Sequence, residues 1–235
     1  MIPFKSTKLV VVSLMALVAL ALLHASSVQA RDAGLGNSRK LWDMSPNRSK
    51  KKKKNQQNNN HKKSSKKKTL KLKITNISFQ QPFGGFFVAT HTSKAPPLFT
   101  LGSPASHELA RLAEDGNPQP LVDKYKTYRS VDEAFVFNTG APYFGGETLE
   151  IDIPYDKNYP YVTVASMAIN TNDCFISING RKLSKGDVFT GVGYDSGTEE
   201  NNELCTSIPG PACPSDTGNT ADGNGEGFVH VHRGE

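Results

Sequence analysis

Residues 161–200 read YVTVASMAINTNDCFISINGRKLSKGDVFTGVGYDSGTEE, and this stretch decides the fold that we predict. Two runs of strand-forming residues, 161–169 and 174–179, flank a polar corner at residues 171–173. A second, acidic corner follows at residues 194–199. Two such corners can meet at one end of a β-sandwich, where they would offer oxygen ligands to a hard cation.

The chain after residue 70 repeats this pattern of short strands between turns. Leu70, Leu72 and Ile74 alternate with polar residues, which is the period of a half-buried strand. Gly, Pro and Asn turns separate the runs and favour an antiparallel β-sandwich, an all-β fold. Further strands are predicted over residues 86–90, 148–153 and 228–232.

One short helix is expected over residues 107–114. Ser106 can cap its first turn, and Gly116 can end it. Two prolines follow and prevent the helix from continuing. The pattern of residues 121–128 fits either a strand or a second helix.

Residues 1–30 have the parts of a secretory signal peptide. Lys5 and Lys8 precede a nearly continuous apolar run over residues 9–23, and small residues lead up to Ala30, after which we predict cleavage. The alternative is an uncleaved anchor helix, for which a run of about 15 residues is short. No other segment of the sequence is long and apolar enough to span a membrane, so we expect a secreted protein without a stable transmembrane anchor.

Charge divides the remainder into two opposite parts. Residues 31–73 hold 16 basic and 2 acidic residues, whereas residues 74–235 hold 10 basic and 20 acidic residues. Two lysine blocks and an amide-rich block make residues 31–69 a disordered linker, because so little apolar surface cannot offset the entropy of ordering. This arm is either a solvated spacer or an electrostatic anchor for polyanions. Nucleic acid is not the expected partner, since a secreted chain does not meet it and no aromatic residues interleave the lysines.

The three cysteines suggest one bridge and one thiol. Cys205 and Cys213 enclose a short loop and are predicted to form a disulfide in an oxidising compartment. Cys174 lies within an apolar strand and is expected to be a buried thiol. Asn47 and Asn76 each begin a glycosylation sequon, which is a weak signal alone.

A set of short motifs follows in a fixed order through the globular part. They are SPAS and LAEDGN at residues 103–117, SM and TNDCFISING at 166–180, YDSGTE at 194–199, IPGP at 208–211 and GEGFVHVH at 225–232. This set resembles the spondin N-terminal domain found in F-spondin, mindin and many microbial secreted proteins, and it is closer to the microbial single-domain form. The resemblance spans residues 70–234.

The resemblance implies a C2-like antiparallel β-sandwich that lies outside the cell and binds calcium at one end. Asp195 and Glu199 match two acids of the family pattern, and Asn179 stands where the animal members have an aspartate. Animal members act in extracellular matrix and cell adhesion. Their domain continues beyond the HVH strand, so residues 70–235 are expected to lack a C-terminal piece.

The predicted calcium ligands are Asp195, Glu199, Asn179 and Asp173. Calcium takes roughly six to eight hard oxygens, often from carboxylates on adjacent loops, and accepts amide oxygens as well. The alternative is that these are turn residues that cap strands and keep the loops soluble.

Two histidines near the end of the chain allow a different metal. His230 and His232 are two residues apart on a predicted strand, so they share a face and suit a transition metal if a third ligand such as His91 joins them. The alternative is a pair of strand histidines that are hydrogen-bonded within the sheet.

These patterns together predict a non-catalytic module. The sequence holds no nucleophile elbow, P-loop, zinc-protease helix or dinucleotide fingerprint. We expect a calcium-binding extracellular module for adhesion to matrix, to a cell-surface protein or to an anionic polysaccharide. The alternative is a structural matrix or mineral-associated protein that acts through its lysine-rich arm.

Overall fold

The computed structural model describes residues 7–12, 68–138, 140, 142–184, 186–213 and 224–233. Nine strands and two helices lie within them. The strands are β1 (Thr7–Val12), β2 (Lys68–Asn76), β3 (Phe83–His91), β4 (Val131–Phe137), β5 (Thr148–Tyr155), β6 (Tyr161–Ala168), β7 (Cys174–Lys182), β8 (Val188–Asp195) and β9 (His230–Val231). The helices are α1 (His107–Asp115) and α2 (Gln119–Lys126).

Apart from β1, whose pairings are parallel, the strands form an antiparallel β-sandwich, which confirms the predicted all-β fold. They follow the order β4-β3-β6-β7-β8-β1-β2-β5, and β9 pairs with β8. One layer contains β4, β3, β6, β7 and β8, and the other pairs β2 with β5. The first core lies between the layers, where Leu72 and Ile74 of β2 pack with Phe86, Val164 and Ile176 of the larger layer.

The central strands of the larger layer, β3, β6 and most of β7, are buried on both faces. The outer face of this layer carries Phe87, Ala165 and Phe175, which pack with Leu109 and Leu112 of α1 in a second core. A strand that is buried on both faces has a continuous run of apolar residues, whereas a strand with one solvent-exposed face alternates apolar and polar residues. This explains why β6 and β7 are runs of strand formers in the sequence while β2 and β5 alternate.

The helices confirm one prediction and resolve an ambiguity. Ser106 caps α1, because its side chain accepts a hydrogen bond from the Leu109 backbone N–H, and Gly116 ends it in the left-handed conformation. Residues 121–128 fall mostly in α2, so the expectation of a single helix is wrong. Pro120 lies in the first turn of α2, where a missing N–H costs nothing, so the prolines that follow α1 begin α2.

Three strands were not anticipated from the sequence, and one of them, β1, falls in the run predicted to be part of the leader. Strand β4 has an irregular burial pattern, and β8 contains two glycines, which weaken a strand signal. Gly191 of β8 is explained by crowding: a Cβ there would lie 2.8 Å from the Ser177 carbonyl oxygen of β7. The last predicted strand, 228–232, is reduced to the two residues of β9.

The predicted leader and arm lie mostly outside the described residues. The exceptions are Lys68 and Thr69, which begin β2, and Thr7–Val12, which form β1. The backbone of β1 runs parallel to both of its neighbours, from Thr7 opposite Lys71 of β2 and from Leu9 opposite Val188 of β8. Among the described residues, no helix has the length and apolar character needed to cross a bilayer.

Cleavage after Ala30 would remove β1 and leave the facing edges of β2 and β8 unpaired. We expect the backbone amides of Lys71, Lys73 and Thr75 to exchange hydrogen at least about tenfold faster in a chain that starts at Arg31 than in the full chain, because a sheet edge opens locally more easily than a paired strand. Hydrogen exchange read by mass spectrometry measures this. Equal protection in the two chains would show that β1 contributes nothing to the sheet.

The cysteines lie as predicted. Cys205 and Cys213 form a disulfide, and Cys174 is a free and buried thiol. Asn47 lies outside the described residues. Asn76 is fully buried, and its Nδ2, the atom that would carry a glycan, donates hydrogen bonds to the carbonyls of Gln81 and Tyr143.

Candidate metal centre

The two acidic corners of the sequence meet at one end of the sandwich. Strand β7 begins where β8 ends, with Cys174 paired opposite Asp195. The Ser196 backbone N–H donates to the Asp173 carbonyl at 3.2 Å and so ties the corner before β7 to the loop after β8. Asp173, Asp195 and Glu199 are all at most 1% exposed. Antiparallel pairing therefore concentrates negative charge in one buried region.

Asp173 organises the loop that follows β8. Its Oδ2 accepts hydrogen bonds from the backbone N–H groups of Thr198 (2.8 Å) and Glu199 (3.2 Å) and from the Ser196 hydroxyl (2.9 Å). Its Oδ1 is buried and has no hydrogen-bond partner among the described residues. One oxygen therefore fixes the loop, and the other is left in a buried acidic environment.

Burial makes the ionised form of the carboxyl groups in this region energetically unfavourable. Desolvation, together with the nearby Asp195 carboxylate, raises the pKa of Asp173 from its ordinary value of 3.8 to about 6, although the three loop donors oppose the shift. Burial also raises the pKa of Glu114 at the end of α1. The charges of Asp115 and Asp173 raise this pKa further, whereas the hydrogen bond with Thr198 lowers it. A cation placed among these carboxyl groups would relieve the repulsion between their negative charges.

The raised pKa of Asp173 predicts a pH-dependent stability in the absence of divalent cations. The folded protein keeps a proton on Asp173 up to about pH 6, whereas the unfolded chain loses it near 3.8. The folded state therefore binds more protons between these values, and its stability falls as the pH rises through them, by about 3 kcal/mol for this group. Urea unfolding with EDTA from pH 4 to 7 should show this loss relative to Asp173→Asn, and parallel curves for the two proteins would contradict it.

Asp195 is the buried member of a mixed ligand group. Its Oδ1 accepts from the Gly197 backbone N–H at 2.7 Å, and its Oδ2 accepts from the Asn201 amide at 2.8 Å. His230 of β9 pairs opposite Asp195 of β8, with Nε2 3.5 Å from Asp195 Oδ1 and 3.7 Å from Glu226 Oε2. One ligand atom from each of Asp195, Glu226 and His230 lies within 4.8 Å of the other two.

The group opens into a small cavity of about 210 Å³. Asp195 lies at its buried side, Glu226 is exposed, and His230 is partly buried. The remaining lining residues are Asn201, Phe228, His232 and Arg233. The arrangement can hold one ion against buried carboxylate while leaving a side of that ion accessible from solvent.

A backbone contact between two glycine-rich loops brings Glu226 to Asp195. The Gly227 N–H donates to the Gly197 carbonyl at 2.8 Å. Gly197 has a φ of 69°, and a Cβ there would collide with the Phe228 backbone carbonyl. Only glycine allows residues 225–228 to lie this close to the loop after β8.

The structure does not bring Asn179 to this region. It follows Cys174 by five residues on β7, which corresponds to about 17 Å along a strand. Its Oδ1 accepts from the Leu98 N–H, and its Nδ2 donates to the Phe99 carbonyl, both at 2.9 Å. The prediction that Asn179 shares an ion with Asp195 is therefore wrong, because its amide supports residues 98–99 instead.

The predicted histidine group is also divided. His91 is buried, with Nε2 2.9 Å from the Thr163 hydroxyl and with its ring stacked on Tyr161. Its ring lies beside Gly180, towards the same end of β7 as Asn179. His230 and His232 do line one cavity, and carboxylates take the place that His91 was expected to fill.

Glu226 is the site residue that sequence reasoning missed. It lies in the run GNGEGF, a glycine-rich pattern typical of a turn that contains a single acid. The usable signal was the spacing of Glu226 four residues before His230, directly ahead of the strand that pairs with Asp195.

Comparison with known proteins does not add to this geometry: no family model matches the chain, and no curated protein matches it. The resemblance to the spondin N-terminal domain stays a prediction. What the structure defines is an all-β sandwich with a mixed carboxylate–imidazole group at one end.

Proposed function

We propose that this chain is a secreted, non-catalytic binding module that holds a divalent cation at the end of the sandwich marked by Asp195. The observation that carries the proposal is the convergence of three ligand-type side chains, from β8 and from residues 226–230, to within 4.8 Å. The buried Oδ1 of Asp173, which has no hydrogen-bond partner among the residues that the structure describes, supports it, because a bound cation relieves the repulsion among these acids.

The cation has a direct use in binding. An ion held between Asp195 and Glu226 keeps open coordination positions towards the cavity, and a carboxylate, sulfate or carbonyl oxygen of a partner can fill them. Matrix, a cell-surface protein or an acidic polysaccharide would supply such oxygens. Calcium is the ion that the sequence resemblance implies, and extracellular calcium modules bind weakly, with dissociation constants of about 0.1–1 mM.

Two features support an extracellular location. The disulfide between Cys205 and Cys213 is typical of an oxidising compartment. The first 30 residues carry the charge and apolar pattern of a secretory leader. We assign binding and not a reaction, because the sequence contains no motif of a known catalytic mechanism.

Retention on an anionic surface tests the module. The protein is applied to a sulfated polysaccharide matrix with calcium, then with EDTA, and the bound fraction is measured. Asp195→Asn is expected to abolish the part of the binding that EDTA removes, because it removes the buried charge of the ion site. Asp152→Asn, at an exposed position of β5, is the matched control and should bind like the parent.

A second candidate function rests on the charge of the arm. Residues 31–73 carry 16 basic residues, enough to hold the protein on a polyanion without any ion. Deleting residues 31–66 separates the two candidates and keeps β2 intact, since that strand begins at Lys68. Binding that survives the deletion and still needs a divalent cation belongs to the sandwich. Binding that is lost with the arm, and that moderate salt releases from the parent, belongs to the arm.

A further inference from the structure

The donor set at the end of the sandwich includes a nitrogen. Calcium takes oxygen ligands almost exclusively, whereas an imidazole beside carboxylates suits zinc and its neighbours in the first transition row. We propose that Asp195, Glu226 and His230 form a site for a first-row transition metal of the zinc type and not for calcium. This inference rests on the cation-dependent function proposed above and specifies its ion.

The hydrogen bonding of His230 sets its ring to bind a metal through Nε2. Its Nδ1 lies 3.1 Å from the Val231 carbonyl oxygen, which can only accept, so Nδ1 carries the hydrogen. In the neutral ring the lone pair then lies on Nε2, the atom that faces the two carboxylates. Metal-binding histidines are commonly oriented in this way, with the other ring nitrogen donating to a carbonyl or a carboxylate.

Nε2 faces two carboxylate oxygens across a gap wide enough for a metal ion. Its separations of 3.5 Å from Asp195 Oδ1 and 3.7 Å from Glu226 Oε2 exceed the usual length of a hydrogen bond. Nε2 is buried and has no hydrogen-bond partner in the part of the chain that the structure describes. Ligands about 2.1 Å from a tetrahedral zinc lie about 3.4 Å apart, which is close to the separations seen here.

Hydrogen bonds from neighbouring residues hold the Asp195 carboxylate in place. Asp195 is 1% exposed and is fixed by the Gly197 N–H and the Asn201 amide, and the same amide reaches Glu226 Oε1 at 3.2 Å. Such outer contacts orient metal ligands and tune their affinity. His230 is joined to Asp195 through the pairing of β9 with β8, so two of the three ligands lie on paired strands.

Calorimetry and cobalt spectroscopy on the full chain test the metal. After EDTA treatment and its removal, one equivalent of Co²⁺ is expected to give visible absorption that Zn²⁺ abolishes, and Zn²⁺ is expected to bind more tightly than Ca²⁺ by at least about 100-fold. His230→Ala should weaken Zn²⁺ binding by about 100-fold, because it removes one of three protein ligands. His107→Ala, an exposed histidine on α1, is the matched control and should leave the affinity unchanged.

The outcomes separate this inference from the function on which it rests. If the protein binds calcium equally well with and without His230→Ala and gives no Co²⁺ absorption, the transition-metal site is contradicted. The proposal of a cation-dependent binding module is not contradicted by that result. Failure of every divalent cation to bind would overturn both. Glu226→Gln changes an exposed side chain and provides a second variant that tests the ligand set if His230→Ala unfolds the protein.

Discussion

Asn76→Ala is expected to lower the free energy of unfolding by about 3 kcal/mol. The Asn76 side chain donates to the Gln81 and Tyr143 carbonyls and accepts from the Ser78 N–H (3.0 Å) and hydroxyl (2.6 Å), all in a buried position. Alanine removes all four hydrogen bonds and leaves the buried Ser78 N–H without its acceptor, whereas the Gln81 and Tyr143 carbonyls keep the Ser78 hydroxyl and the Phe83 N–H as donors. A buried unsatisfied group costs about 1–3 kcal/mol, and each further hydrogen bond that is lost costs about 0.5–1.5 kcal/mol. Urea unfolding at pH 7 measures the loss.

The matched control for this change is Asn158→Ala. Asn158 is exposed in the turn between β5 and β6, and its replacement should alter the stability by less than about 0.5 kcal/mol. If the two alanine variants unfold at the same urea concentration, the side chain of Asn76 does not join β2 to the turn at Gln81 and to Tyr143.

Gly197→Ala should separate the loops of the candidate metal centre. An alanine at a φ of 69° costs about 1 kcal/mol, and its Cβ would also collide with the Phe228 carbonyl, so residues 225–228 must move away. The movement carries Glu226 away from Asp195. We expect a total destabilisation of about 2–3 kcal/mol, and a loss of divalent-cation affinity of at least about tenfold.

Gly186→Ala distinguishes crowding from backbone strain. Gly186 has a φ of 84°, but a Cβ there would meet nothing within 4 Å. This variant should lose only about 1 kcal/mol and should bind the ion as the parent does. Equal effects of the two substitutions on ion affinity would mean that the contact between Gly197 and Phe228 does not position Glu226.

Most of the β-architecture was predictable because the burial of a strand determines the pattern of apolar and polar residues along it. Strands β2 and β5 alternate, since one face of each meets the core and the other meets solvent. Strands β6 and β7 are continuous runs because they are buried on both faces. Strand β8 escaped prediction because the crowding that requires Gly191 is a tertiary contact with β7, and nothing in the neighbouring residues records it.

The site was predictable only in part. The two acidic corners could be placed together because antiparallel neighbours return to the same end of a sheet, and Asp173 and Asp195 do lie there. The family resemblance placed Asn179 with these acids, but it follows Cys174 by five residues on β7 and so lies well away from that end of the strand. Glu226 depends on the contact between the glycines of two loops, which lie about 30 residues apart in sequence and cannot be paired by pattern alone.

Anomalous diffraction from crystals grown with Zn²⁺ tests the central claim most directly. The predicted result is a peak at the zinc edge that lies within about 2.3 Å of an oxygen of Asp195, an oxygen of Glu226 and Nε2 of His230. A well-ordered map with no peak beside Asp195, or with zinc bound only at other histidines, would contradict the assignment of this end of the sandwich as a metal centre.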